Sequence, residues 1–551
     1  MWASNGIRFS ISDLSEPQSR LLPCIYRERA GISLYDALHE SDTDSNPLYF
    51  SSKTISTVSE TLARFRYICD QYGVPAQQIS VFATEATRTA RNKDDLQAAI
   101  ENATGLVVEI LSPAMESLFG AMGARSGFHH VDGLFMDLGG GSVQMTYVNS
   151  NSSNYDVAAA RAAHSMPYGA AKLATAQKSQ ERLSSQENLQ AAMKEAFLDL
   201  KSRFAQLRSQ SDSPDGVTIY LCGGGFRGYG SMLMHTHEVQ PYPIPLISGF
   251  TVSGARFAQW QAMLRANEQQ RKVFGMSKRR REQFPAIAMV VEALVGAIPH
   301  IRQVVFCSGG NREGVLYMKL PPSVRESSPL PLFLARDSQR KTAKALDAIT
   351  RIFSDALPDT SPAIFSPDLL CYLAENTWSY MGDAHDVNAV RCLRNPISGA
   401  ISGLPGLTHQ ARAVLALTMC ARWGNEIGQP DRVLLDNLRR LIGPQLRFWC
   451  DYLGAVAGFV AAAIPACPSD GQQLAKTLAF VCSPAPPPSQ RKSPTPLDDG
   501  CGDEEAVIKL SIGVTPSARQ GMGLGGSLER LKAVGKGSGS GLRVLVDIVE
   551  L

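Results

Sequence analysis

Phe135-Met136-Asp137-Leu138-Gly139-Gly140-Gly141-Ser142-Val143-Gln144-Met145-Thr146-Tyr147-Val148 reads as two short strands joined by a glycine turn that opens with a carboxylate. Three consecutive glycines let backbone N–H groups approach an anion with no Cβ in the way. Ser142 adds a hydroxyl donor, and Asp137 is placed to reach a cation or a water beside a phosphate. The same letters also spell an ordinary glycine-rich hairpin, and on this stretch alone the two readings carry equal weight.

Related elements recur. Ser4-Asn5-Gly6 precedes the alternating strand Ile7 to Ile11. Val217 to Leu221 runs into Gly223-Gly224-Gly225-Phe226-Arg227-Gly228, and Val304 to Cys307 runs into Ser308-Gly309-Gly310-Asn311-Arg312-Glu313-Gly314. Strands that repeatedly end in polar glycine turns imply a cleft for a nucleotide or polyphosphate. Residues 223 to 228 also satisfy G-x-G-x-x-G, but a dinucleotide fold wants an acidic residue about twenty positions on to hold the ribose, and Glu238 comes too early.

Taken in order, these segments resemble the Ppx/GppA family of exopolyphosphatases and guanosine-pentaphosphate phosphatases, and within it a fungal retrograde-regulation branch. The resemblance covers roughly residues 1 to 320. Besides the turns, it rests on Arg29-Ala30-Gly31-Ile32-Ser33-Leu34-Tyr35, Ala83-Thr84-Glu85-Ala86-Thr87-Arg88 and Met166-Pro167-Tyr168-Gly169-Ala170. It implies an α/β fold of two ribonuclease-H-like lobes, similar to the actin-like ATPases, with the site in the cleft between them.

The resemblance also implies roles. Glu116 matches the catalytic carboxylate that activates water, Arg88 a phosphate-clamping arginine, and Asp137 a metal-side aspartate for Mg2+. Ser4, Asn5, Gly139, Gly140, Gly141, Ser142, Gly223, Gly224, Gly225, Arg227, Ser308, Gly309 and Gly310 are the expected contacts to ATP or another polyphosphate-bearing nucleotide. Without the resemblance, Glu116 reads as a carboxylate favoured near a helix start, and Arg88 as a C-terminal cap or a partner of Glu85.

Three departures bear on activity. Gln144 stands at the metal position where hydrolytic members usually carry glutamate, and an amide offers one neutral oxygen in place of a charge. Glu116 has Ala114, Met115 and Leu118 around it instead of acidic and arginine neighbours. Met1 and Ala3 fall where the family has Asp and Gly, so most of the family's first strand is missing and the first phosphate loop is expected to be incomplete.

Composition bounds the rest. With 551 residues, 44% hydrophobic, the chain can bury several cores, and a net charge of +3 gives no reason to expect nucleic-acid or membrane binding. The basic run Lys278-Arg279-Arg280-Arg281 reads as a solvated helix entry, with a nuclear-import signal as the minority view. Eleven cysteines without a C-x-x-C pair point to reduced thiols in a cytoplasmic protein. The longest apolar run, Tyr452 to Cys467, falls short of the roughly 20 residues of a membrane span and reads as a buried helix.

The expected organisation is a first lobe over residues 1–125, a second over 126–325, a helical domain over 326–482, a Pro/Ser-rich linker over 483–500 and a small α/β module over 501–551. In the helical domain, Trp378 to Asp386 and Leu404 to Leu407 resemble an HD phosphohydrolase domain, yet only the His385-Asp386 pair remains, with His409 nearby. A hydrolytic metal centre needs more ligands, so a structural or dimerising role is expected and a homodimer is a candidate assembly. Two functions compete. One is a nucleotide-sensing regulator that shows a changed surface to a signalling partner, and the other is a Mg2+-dependent exopolyphosphatase or guanosine-pentaphosphate hydrolase. The branch resemblance, with which Gln144 agrees, favours the regulator.

Overall fold

The computed structural model describes residues 2–3, 6–40, 48–177, 182–270, 272–335, 343–468, 474, 476–484, 506–519, 522–536 and 539–551. Ser4 and Asn5 lie outside them, as does most of the Pro/Ser-rich stretch. Two compact units result, Met1–His237 with Leu246–Ser327, and Glu238–Pro245 with Ser328–Leu551.

The first unit opens with β1 (Trp2–Ala3), β2 (Gly6–Ser12) and β3 (Cys24–Ala30) in an antiparallel sheet, followed by a separate parallel pair, β4 (Val81–Ala83) and β5 (Val108–Ile110). β1 is too short to bridge the two groups. It covers only Gly6 and Ile7 of β2, and among the described residues no strand pairs with the rest of that edge or with the outer edge of β4. A cavity of about 740 Å3, walled by Phe9, Ile11, Phe65, Val81 and Phe82, occupies the space. Arg312 Nη1 reaches into this region and donates to the Phe9 carbonyl at 3.2 Å.

The second half is one six-stranded sheet in the order β10-β11-β9-β6-β7-β8, made of β6 (Asp132–Leu138), β7 (Val143–Asn149), β8 (His164–Met166), β9 (Val217–Cys222), β10 (Thr251–Ser253) and β11 (Ile301–Phe306). β6 and β7 form the hairpin read from the sequence, with Asp137 opposite Gln144 and Leu138 opposite Val143. β6, β9 and β11 run parallel, so their C-terminal ends deliver the turns after 138, 222 and 306 to one edge of the sheet. Both faces are covered, which is why Val217–Cys222 is buried throughout.

Two helices cross with backbone in contact with backbone: Pro113–Arg125 and Asn311–Lys319. A Cβ on Gly123 would lie 2.0 Å from the Gly310 carbonyl oxygen, one on Gly309 1.7 Å from the Gly123 oxygen, and one on Gly314 1.8 Å from the Phe119 oxygen. Only glycine permits this approach. The C-terminal end of the first helix is tied down by Arg20, which is fully buried and donates to the carbonyls of Ser126 and Phe128, each at 2.9 Å, and Ser327 at 3.2 Å.

The second unit is mainly helical, with Ala343–Asp355, Pro367–Asn376, His385–Ser398, His409–Arg422, Gln429–Ala463 and Met522–Ala533 as its larger helices. Gln429–Ala463 is broken at Gly443, whose φ of 76° leaves the helical region before Pro444. It holds a stretch long and apolar enough to cross a bilayer, but 78% of that stretch is buried in the unit, as befits a core helix. The unit ends in a sheet of β12 (Leu478–Pro484), β13 (Ala506–Val514) and β14 (Leu542–Glu550). The sequence reading left residues 478–482 in the helical domain and began the linker at 483. Instead, Leu478 and Phe480 point inward as part of a strand paired along its whole length with β13.

Candidate functional site

The hairpin turn and two helix starts open on one cavity of about 140 Å3. Gly139, Gly140, Ser142 and Gln144 come from the hairpin, Gly223, Gly224 and Arg227 from the helix Gly223–His235, and Gly310, Asn311, Arg312 and Glu313 from the helix Asn311–Lys319. At Gly223, φ is +84°, and a Cβ would lie 2.2 Å from Asp137 Oδ1, so glycine lets the strand turn directly into the helix against the carboxylate. The first turns of both helices leave N–H groups without intrahelical partners, the groups that receive anions at helix starts, and at the second the Gly310 N–H is already held by Glu313 Oε2 at 3.1 Å.

Glu116 enters from the helix Pro113–Arg125, whose start is set by Ser112 accepting the Met115 N–H at 3.3 Å and by Pro113 in the first turn. Its carboxylate lines the cavity and is 9% exposed. Burial pushes its pKa up to about 7, against the opposing pull of Arg88. Arg88 is absent from the cavity wall. Its Nη2 lies 3.4 Å from Glu116 Oε2 and its Nη1 donates to the Leu111 carbonyl at 2.5 Å, so it holds Glu116 in place. Asp137 is half-buried by accessible surface but has lost most of its hydration, which raises its pKa, while Arg227 and Arg8 pull it down.

Several expected contacts are also closely packed. Gly141 backs onto the Glu85 carboxylate, Gly225 onto the Leu138 side chain and Gly309 onto Gly123; these three, with Ser308, are not in the cavity wall. The Ser308 carbonyl accepts from Arg227 Nη1 at 3.2 Å, and the Gly223 carbonyl accepts from Arg227 Nε at 3.0 Å, which fixes that guanidinium between the two helix starts.

Residues not singled out from the sequence supply most of the positive charge: Arg8, Arg29, Arg279, Arg280 and Arg312 join Arg227 around the cavity. Two of them belong to the run read as solvated. Arg279 Nη2 pairs with Asp36 at 2.7 Å, and Arg280 packs along Gly228, where a Cβ would meet its Cδ at 2.6 Å. The signal was present in Gly228, the last glycine of the G-x-G-x-x-G match, which makes room for an arginine stem.

The polar side chains that would face a divalent cation are engaged with one another. The Gln144 amide donates through Nε2 to Ser142 Oγ at 2.7 Å, Glu116 is engaged by Arg88, and Asp137 has two arginines for electrostatic neighbours. Among the described residues no three His, Cys, Asp or Glu side chains converge as a cation site. In the helical unit, His385 stacks edge-on against Trp423, and His409 shares a 2.7 Å hydrogen bond between its Nδ1 and the Tyr242 hydroxyl, so the two histidines are engaged separately.

The chain matches the Ppx/GppA phosphatase family over residues 13–323 and the RTG2 C-terminal domain over residues 331–486. It is 32% identical over 475 residues to Retrograde regulation protein 2 of Saccharomyces cerevisiae, covering 82% of this chain and 78% of that protein. Among solved structures it is similar to the type II variant of the Aquifex aeolicus Ppx/GppA phosphatase, with 18% identity and a TM-score of 0.43 over 58% of this chain and 97% of that one. An exopolyphosphatase from Cytophaga hutchinsonii gives 18% identity and a TM-score of 0.41 over 57% of this chain and 95% of that one. The glycine turns thus stand in a chain matched over more than half its length by the family model, and over 82% of it by a relative at 32% identity: it belongs to the Ppx/GppA phosphatase family.

Proposed function

We propose that this homologue of Retrograde regulation protein 2 is a regulator of the retrograde-signalling type whose cleft binds a phosphate-bearing ligand, ATP or another nucleotide or polyphosphate. In this reading the two sheets of the first unit belong to two ribonuclease-H-like lobes, and ligand binding alters the surface shown to a protein partner. The observation that carries it is the convergence of the hairpin turn and two helix starts on one cavity ringed by arginines. The cavity is small beside the about 300–1,000 Å3 of sites that engulf a whole ligand, which supports enclosure of phosphate groups with any nucleoside held outside.

Replacing Gly140 by valine puts a branched side chain where the phosphate must approach. Calorimetric titration should then show affinity for ATP and for polyphosphate reduced at least about tenfold, with the melting temperature little changed. Unchanged affinity for every such probe would defeat the reading.

Hydrolysis is the second reading, and Glu116 favours it: a carboxylate whose pKa is raised to about 7 beside the phosphate turns is suited to a general base. Gln144 argues for a slow reaction. Gln144→Glu restores a charge at the cation position and should raise Mg2+-dependent phosphate release, while Glu116→Gln should abolish whatever release the native chain has. Robust turnover in the unmodified protein that survives Glu116→Gln would exclude this mechanism.

A further inference from the structure

Arg8 on β2 and Arg29 on β3 are directly opposite one another across the antiparallel pair. Like charges in that position repel, and nothing in strand pairing requires them there. Arg227 and Arg312 act on Arg8 with the same sign, and Arg280 is repelled by Arg227 and Arg29. The arginines around this one cavity outnumber its acidic residues, Glu116, Asp137 and Glu313, two to one. Glu116 and Glu313 are already paired, with Arg88 at 3.4 Å and with Arg312 at 3.1 Å. Asp137 has Arg227 and Arg8 as its positive electrostatic neighbours, so part of its charge is already met by guanidinium groups.

Arg279 is paired with Asp36 and Arg312 with Glu313, and the excess of guanidinium groups over acids in the cavity wall favours an anion there. Guanidinium groups also meet phosphate oxygens in a fixed planar fork, which a hydrated Mg2+ does not offer. We propose that the cavity grips its ligand through arginine charge alone, as the metal-free polyanion carrying three or more negative charges, and that no divalent cation takes part in binding. The proposal rests on the phosphate-binding reading above and sharpens it: the ligand is recognised by its density of uncompensated charge, and Mg2+, by cancelling two of those charges, competes with the protein for it.

Inorganic tripolyphosphate is the probe, titrated into the full chain by calorimetry in chelator and again in excess Mg2+. Binding should persist in chelator and be equal or weaker in Mg2+. Arg227→Gln and Arg280→Gln should each weaken binding in chelator by about tenfold to a hundredfold, as expected for loss of a charge-assisted hydrogen bond. In thermal melts without ligand, the same variants report what each guanidinium contributes to the fold through its own contacts, Arg227 to the Gly223 and Ser308 carbonyls and Arg280 to the Gly275 carbonyl. Tripolyphosphate should then raise the melting temperature of the parent more than theirs.

Binding that needs Mg2+ and vanishes in chelator would overturn the arginine-only grip while leaving the phosphate-binding reading intact. Variants that bind as tightly as the parent would also overturn it. Absence of binding by tripolyphosphate and ATP in both conditions would strike the phosphate-binding reading itself.

Discussion

Gly314→Ala should lower the melting temperature of the first unit by roughly 10 °C, whereas Gly296→Ala, the same change in another helix, should be neutral or slightly stabilising. At Gly314 the added methyl meets the Phe119 carbonyl oxygen at 1.8 Å and backbone at Gly123 at 2.9 Å, and backbone cannot turn aside as a side chain can. Helix must part from helix, at a cost of about 3 kcal/mol or more. Gly296 lies in Phe284–Ala297 with nothing within 4 Å of its Cβ position, so alanine there gains helix propensity of about 0.5–1 kcal/mol and loses nothing. Thermal melts of the two variants beside the parent decide it; equal behaviour would mean that the helices do not cross this closely. Because this crossing joins the Glu116 helix to the helix that begins at Asn311, Gly314→Ala should also abolish ligand binding.

The second large effect concerns Glu116 and pH. Its pKa is raised in the fold from 4.5 to about 7, chiefly by burial, so the folded state holds the proton more tightly than the unfolded chain. The sign follows: the stabilising contribution of the protonated carboxyl is complete below 4.5 and is lost as pH rises through about 7. Glu116→Gln removes this dependence. Urea melts from pH 4.5 to 8 should show the variant gaining on the parent as pH rises, by on the order of 3 kcal/mol across the window. Loss of the Arg88 contact adds an offset that does not vary over this range. A parallel course of the two curves would contradict the assigned burial. If the parent releases phosphate, its rate should rise over the same pH range as the base loses its proton.

What the sequence disclosed, and what it withheld, divides along the distance over which each feature is decided. The hairpin of β6 and β7 was legible because its evidence is local: alternating apolar residues, three glycines, and Asp137 facing Gln144 across the turn. The glycine starts of the helices at 223 and 311 were legible for the same reason, whereas Glu116 was singled out only through the family resemblance. The packing role of Gly309 was not legible, because its partner Gly123 is far away in the chain and a glycine that admits a phosphate looks the same as one that admits a helix.

The arginine wall was hidden for a related reason. Arg8 and Arg29 meet only through strand pairing, and Arg279 and Arg280 arrive from a helix that the sequence read as a solvated entry. β12 was missed because its partner β13 lies beyond the Pro/Ser-rich stretch, and an apolar segment of seven residues next to a helix gives no period long enough to tell strand from helix.

The divided sheet of the first unit has a practical meaning for anyone handling the protein. Among the described residues the edge of β2 beyond Ile7 has no strand partner, and apolar side chains such as Phe9, Ile11 and Phe82 line the space beside it. Arg312 donates to the Phe9 carbonyl on β2. One arginine therefore serves two ends, facing the anion cavity and holding the backbone of β2. Neutralising it to weaken ligand binding would also release that carbonyl, so the stability of any Arg312 variant has to be measured before its affinity is interpreted.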